Sequence, residues 1–231
     1  MTALPDGRRR LDLSHRVEVG MPSYPGLPGP RIEDHLTREA SRAIYAPDTE
    51  FHIGRISMVA NTGTYVDSPF HRYADGADLA ELSLDDLADL DGLTIDAGSQ
   101  RREIVLADLL PYAVAGRAVL LRTGWSRHWG TPAYDGGHPF LTREAAAYLA
   151  QAGVRLVGID SLNIDDTADG TRPAHTLLLG AGIPICEHLT GLEGLPEQGY
   201  RFSAVPVAVH GLGTFPVRAW AVTESPPSAR A

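Results

Sequence analysis

Two apolar runs flanking one amphipathic segment constrain this chain more than any other feature of its sequence. Residues 118–124, AVLLRTG, and 154–160, VRLVGID, are short and mainly apolar, as buried strands are. Between them, Thr142 stands as an N-cap before helically spaced residues that stop at Gly153. The pattern predicts a βαβ-like unit. Beyond Pro173 the spacing predicts a short helix around His175 to Gly180, then an apolar segment at 183–187 and two closing strands at 200–209 and 217–223. Upstream, 53–60 reads as a strand that runs into a polar turn over 61–71, and 82–90 has helical spacing with Ser83 as N-cap. Strands without following helices predominate at both ends. The expected fold is therefore α/β with a mixed sheet, not a doubly wound parallel one.

The length, 231 residues, suits one large domain or two small ones, and no repeat, low-complexity tract or linker divides it. A single domain over 11–223 is expected, with a flexible arm at 1–10 and a flexible tail at 224–231. Hydrophobic residues make up 43% and charged residues 21%, enough to bury a real core, so disordered and fibrous classes are excluded. The formal net charge of −9 argues against nucleic acid and anionic membranes as partners and leaves a small-molecule substrate. No segment approaches the ~18 apolar residues of a membrane span, and no apolar stretch follows the early arginines as a signal peptide requires. The lone Cys186 permits no internal disulfide and no Cys-rich zinc site, which points to the cytoplasm. Set in an apolar run, it is expected to be a buried, inert thiol.

Asp67 and His71 stand four apart in the turn over 61–71, where both side chains can converge on one point. A carboxylate and an imidazole are ligand types for zinc, manganese or iron, but the same pair also describes a turn-capping Asp beside a surface His. His175 and Glu187 add a second imidazole and a second carboxylate at expected element ends, where functional residues concentrate. His128, between Trp125 and Trp129, reads as packing in an aromatic loop, and His188 as a capping or solvated residue. The chain has no Gly-x-Ser-x-Gly elbow. Gly211 to Pro216 lacks the helix of a dinucleotide fingerprint, so serine-hydrolase and nucleotide-binding readings fall.

With LDLSHRVEVGMPSYPG near the start, NTGTYVDSPFH at 61–71, AVLLRTGWSRHWG, the stretch from HPFLTREAAAYL to SLNID, and ICEHL before a strand ending in FPVRAWAV, the chain resembles the cyclase family of metal-dependent hydrolases. That family includes kynurenine formamidase and isatin hydrolase. The likeness runs from about Leu11 to Val222. It implies the family's swivelling β/β/α domain and a homodimer or homotetramer. At 61–71 the family pattern is His-x-Gly-Thr-His-x-Asp-x-Pro-x-His, so Asn61 and Tyr65 replace the two leading histidines that bind a first metal. The resemblance implies that Asp67 is a bridging ligand, His71 a proton donor and acceptor, and Tyr24 an aromatic wall of the substrate pocket. It implies likewise that His175 is a second-metal ligand and Glu187 a bridging one.

A neutral amide and a phenol of pKa near 10 do not replace imidazoles on zinc at neutral pH. At most one ion, zinc or manganese, is then expected, held by Asp67, His175 and Glu187, in a hydrolase acting on an amide, a cyclic amide or a related carbonyl compound. Two alternatives stay open. One is a metal-free cyclase, dehydratase or isomerase working through His71, Tyr65 and Asp67; in either enzyme Tyr24 and Asn61 are expected against the substrate. The other is a non-catalytic binding protein.

Overall fold

A computed structural model describes residues 2–3, 7–21, 24–97 and 101–223 of the chain. Fourteen strands occur among them. In chain order they are β1 (Thr2–Ala3), β2 (Arg9–Asp12), β3 (Arg31–Leu36), β4 (Ile53–Ser57), β5 (Tyr65–Asp67), β6 (Leu90–Asp96), β7 (Glu103–Ile104), β8 (Ala118–Arg122), β9 (Phe140–Leu141), β10 (Leu156–Ile159), β11 (Ile185–Glu187), β12 (Gln198–Ser203), β13 (Thr214–Pro216) and β14 (Trp220–Thr223). Two one-turn helices, α1 (Arg38–Ser41) and α2 (Leu106–Leu109), precede the longer α3 (Arg143–Ala152) and α4 (Pro173–Gly180). Ten strands form one mixed sheet in the order β1-β2-β14-β12-β6-β8-β10-β11-β5-β13. Its centre, β6-β8-β10-β11, is parallel and its two flanks are antiparallel.

The expected β8-α3-β10 crossover forms, and its sequence punctuation acts as physics requires. Thr142 accepts a hydrogen bond from the Ala145 N–H, and Gly153 ends α3 at φ 68°, a left-handed conformation that suits glycine. β10 and β8 up to Leu121 are apolar because both faces are covered, and the partly exposed Arg122 ends β8 in an ion pair with Asp96. Val119 and Leu121 of β8 and Val157 and Ile159 of β10 pack under α3 and α4 with Leu149 and Leu178. Leu120 and Leu156 point the other way, into a second core with Leu11, Leu189 and Phe202.

Elsewhere the structure departs from expectation. Only a one-turn 3-10 helix, Leu84–Asp86, forms within 82–90; Ser83 does cap it, but Asp89 turns left-handed at φ 52° and Leu90 begins β6. The strand expected over 53–60 ends at Ser57, and that expected over 200–209 ends at Ser203. Thr2–Ala3 and Arg9–Arg10 are paired strand, where the sequence reading places a flexible arm over 1–10. The expected tail at 224–231 lies outside the described residues. β3 and β4 form a separate two-stranded sheet whose residues are almost all exposed, Ile32, Ile53 and Ile56 among them. No helix among the described residues is long and apolar enough to cross a membrane.

Most important for the site, the segment read as a turn over 61–71 contains β5. This strand is three residues long and buried on both faces, between β11 and β13. Its register sets Tyr65 opposite Glu187 and Asp67 opposite both Ile185 and Thr214. A one-residue slip would turn every one of these side chains to the wrong face.

Candidate active site

Asp67, at the end of β5, is fully buried, and a 3-10 turn at Pro69–His71 brings His71 back toward it. β13 approaches closely enough that a Cβ on Gly213 would lie 2.5 Å from the His71 backbone nitrogen, so glycine is required there. The next residue, Thr214, connects the two side chains. Its hydroxyl makes a short hydrogen bond to Asp67 Oδ1 and lies 2.8 Å from His71 Nδ1. A hydroxyl has one proton to give, and an ionised carboxylate can only accept. Thr214 therefore donates to Asp67, and its oxygen accepts from His71 Nδ1–H. This assigns the tautomer of neutral His71 and leaves the Nε2 lone pair free at the cavity that the ring lines.

His175 comes from the first turn of α4. Asp165, ahead of that helix, accepts from the backbone N–H groups of Ala174 and His175 at 2.6 and 3.1 Å and lies 2.7 Å from His175 Nδ1. The ring is thereby held with Nε2 3.8 Å from Asp67 Oδ2 and 3.8 Å from Glu187 Oε1. Glu187, at the end of β11, accepts the Ile164 N–H at 2.6 Å on Oε1 and the Tyr65 hydroxyl at 2.6 Å on Oε2, with the Asn163 amide at 3.5 Å.

The buried charges explain the protonation states. Burial works against a charge on His175, but Asp165, Asp67 and Glu187 more than reverse this and push its pKa up to about 10. Burial would raise the Asp67 carboxyl; His175, His71 and the Thr214 hydroxyl outweigh it and hold it below its usual range. Glu187 is lifted to about 7, chiefly by burial and despite the field of His175. Tyr65 is raised well above 10 by burial and by the charges of Glu187 and Asp67, so it remains a neutral donor.

Ligand-type atoms of Asp67, His71 and His175 lie within 4.8 Å of one another. The fit of this site to a cation rests on one atom. Asp67 Oδ2 is buried and has no hydrogen-bond partner among the described residues. At 3.8 Å it is too far from His175 Nε2 for a hydrogen bond. Two ligands each about 2.0–2.2 Å from a common zinc ion stand about 3.3–4 Å apart, so the gap suits a shared ion. The three buried carboxylates that raise the His175 pKa, Asp165, Asp67 and Glu187, make a field that would equally hold a cation in place of the proton on His175 Nε2.

Above these groups is a cavity of about 340 Å³, whose lining includes Tyr24, Asn61, Tyr65, His71, His175 and Glu187. All seven residues singled out from the sequence thus meet at one place, with Asp67 buried just beneath. The sequence reading missed Thr214, Asp165, Asn163, Arg72 and Arg172. Asp165 alone had a visible signal, as an acid ahead of a short helix. His188 is not solvated: it is fully buried beside Tyr134 and Trp129, with its pKa lowered to about 3 by burial and by His15. Cys186 is the buried free thiol expected, and His128 packs on Trp125.

A mixed α/β sheet thus ends in buried carboxylates and imidazoles under a small cavity, an arrangement suited to acid–base and metal chemistry. The chain belongs to the Cyclase family, whose model matches residues 11–166. It is 30% identical over 210 residues to a kynurenine formamidase of Bacillus cytotoxicus, covering 90% of this chain and 95% of that protein. Among solved structures, isatin hydrolase A from Ralstonia solanacearum superposes with a TM-score of 0.80 at 25% identity, over 94% of this chain and 92% of that one. A structure described as a potential metal-dependent hydrolase with cyclase activity gives 0.76 at 27% identity, covering 95% of this chain and all of that one.

Proposed function

We propose that the protein hydrolyses the C–N bond of an amide or cyclic amide in a small molecule, using one divalent ion, zinc or manganese. Asp67, His175 and Glu187 would hold it, with His71 beside them. The observation that carries this reading is the unpartnered Asp67 Oδ2, facing His175 Nε2 across a gap too wide for a hydrogen bond. A single ion is favoured because Asn61 and Tyr65 offer an amide and a phenol in place of imidazoles, and the Tyr65 hydroxyl is a neutral donor committed to Glu187 Oε2. When bound, the ion supplies Lewis acidity at the carbonyl and lowers the pKa of water.

The chain's own groups do the rest. His71 Nε2 takes a proton as the water oxygen bonds to the carbonyl carbon, and returns it to the nitrogen as the C–N bond breaks. Thr214, itself bonded to Asp67, accepts from Nδ1–H and so aims Nε2 at the cavity. Asp165 orients His175, as carboxylates behind ligating histidines do. Tyr24 flanks the substrate. The exposed isoleucines of the β3–β4 hairpin support a homodimer or homotetramer, since an isolated two-stranded sheet is marginal in water. The sole, buried thiol supports a cytoplasmic setting.

Metal content by plasma mass spectrometry on protein purified without chelator, together with formanilide and cyclic-amide hydrolysis, tests the reading. Close to one zinc or manganese per chain is expected, absent in Glu187→Gln, with hydrolysis abolished by chelator and restored by the ion. No bound ion, with activity that survives chelator and is lost in Tyr65→Phe, would instead establish metal-free acid–base chemistry.

A further inference from the structure

Asp78 is a buried carboxylate outside the cavity, and it has no part in the chemistry above. Local turn formation explains one of its oxygens: Oδ1 accepts the N–H groups of Ala80 and Glu81 at 2.9 and 3.1 Å, as aspartates at turns do. It does not explain the other. Oδ2 accepts the Gly211 N–H at 2.6 Å across 133 positions of chain, and His210 Nδ1 stands 2.8 Å from the same oxygen. The bond from Gly211 foremost, with those from Ala80 and Glu81, holds the Asp78 carboxyl below the usual carboxylate range, so both arms end on a charge.

Both arms lead to His71. On one side, residues 76–78 lie against the 3-10 turn at Pro69–His71: the Phe70 N–H bonds to the Ala77 carbonyl at 3.0 Å, and a Cβ on Gly76 would lie 2.7 Å from the Pro69 carbonyl carbon. On the other, residues 211–214 cover the same turn. The Leu79 N–H bonds to the Leu212 carbonyl at 3.0 Å, the Ser68 N–H to the Gly213 carbonyl at 2.7 Å, and the Thr214 hydroxyl meets His71 Nδ1. The turn is gripped between two segments of irregular backbone, and Asp78 is the side chain that fastens one to the other. Upstream of Gly211 the chain gives Thr214 little support, since residues 204–210 form neither helix nor strand and Val207, Ala208 and His210 are exposed. Thr214 is three residues from Gly211, each spanning at most about 3.6 Å, so a bond at the first restrains the second closely.

We infer that Asp78 is a positioning residue for the proton transfer at His71. Its carboxylate keeps 211–214 seated on the turn, and so keeps the Thr214 hydroxyl within bonding distance of Nδ1 and the free Nε2 turned to the cavity. The tolerance is small, because a pair now 2.8 Å apart is no longer hydrogen-bonded once it opens past about 3.5 Å. The effect on rate rests on the hydrolase reading; the effect on the His71 ring does not.

Two substitutions test this. Asp78→Asn keeps one carbonyl oxygen for the two local N–H groups and turns its NH2 toward the Gly211 N–H, donor against donor, so the turn survives and the remote bond is lost. Asp78→Ala removes both arms, and the isosteric Asn variant folds even if the Ala variant does not. Formanilide and cyclic-amide hydrolysis by protein incubated with zinc is expected to show kcat lowered about two- to tenfold in each, with KM unchanged within about twofold. In the Thr214→Val background neither variant should cost anything further. The ring nitrogen NMR shifts of neutral His71, assigned through His71→Ala, give a readout that needs no turnover. They are expected to report a proton fixed on Nδ1 in the wild type and a drift toward mixed tautomers in Asp78→Asn, as in Thr214→Val. An unchanged ring spectrum, an unchanged kcat or an equal loss in both backgrounds would overturn the proposal. If the wild type turns over none of these amides, the hydrolase reading falls and the ring spectrum alone decides the role of Asp78: a drift upholds it and an unchanged spectrum removes it.

Discussion

Replacing Thr214 by Val removes one hydroxyl while keeping the shape of a residue that is 2% exposed. Two partners lose their bond together. Asp67, whose Oδ2 already lacks one, would have neither oxygen hydrogen-bonded, and His71 Nδ1–H would lose its acceptor. A hydrogen bond to a charged group contributes about 1.5–3 kcal/mol, so urea unfolding should show a loss in that range. The effect on rate has a different origin. Without Thr214 the neutral imidazole is no longer confined to the tautomer with a free Nε2, and its orientation loosens. A bond to a neutral group is worth about 0.5–1.5 kcal/mol, which corresponds to a fall in kcat of about two- to tenfold. The whole of acid–base catalysis by His71 sets the ceiling, about 10²–10⁴-fold, which His71→Ala should approach. Steady-state hydrolysis by the two single variants and the double variant completes the cycle. If Thr214 acts through His71, Thr214→Val costs nothing further once His71 is Ala, and Thr214→Ser restores the rate. An equal penalty in both backgrounds, or an unchanged kcat with only stability reduced, would refute the relay.

Two further outcomes are expected. Asp165→Asn keeps an acceptor but removes the charge behind His175 Nδ1, so chelator competition should show metal affinity about 10–100-fold weaker. For His188, burial lowers the pKa from 6.5 to about 3, so below pH 6.5 the unfolded chain takes up a proton that the folded one refuses. Its contribution to stability is therefore present above 6.5 and lost as pH falls toward 3, at about 1.4 kcal/mol per pH unit. On going from about pH 7 to about pH 5, the wild type should lose about 2 kcal/mol more than His188→Gln by urea unfolding, and parallel losses would show that burial does not hold this imidazole neutral.

The sequence makes the crossover around α3 readable because cap, stop and apolar period agree locally. Its site residues are readable because they lie in a recognisable string at 61–71 and at the ends of elements. What is hidden depends on distant partners. Three residues of β5 are too few to show a period, and only burial between β11 and β13 makes them a strand. The apolar spacing at 82–90 looks helical, yet Leu87 is buried in a core shared with β6 and β12, and the left-handed Asp89 cuts the segment short. Thr214 has its role only because residue 67 faces it across 147 positions of chain, and no local pattern announces that.

That separation also governs when the site comes into being. The Tyr65–Glu187 bond spans 122 residues and the Thr214–Asp67 bond 147, so loops of that length must close before either forms. On a ribosome adding about 5–20 residues per second, Asp67 waits about 7–30 seconds for Thr214 to be made. For most of that interval β5 has neither neighbour, since β11 is complete only at Glu187 and β13 begins at Thr214. A nascent chain thus acquires its scaffold of β6, β8 and β10 well before any chemistry, and catalytic competence arrives as one of the last events of synthesis. Brevity protects the waiting strand: three residues ending in an aspartate offer a stray chain very little edge to copy.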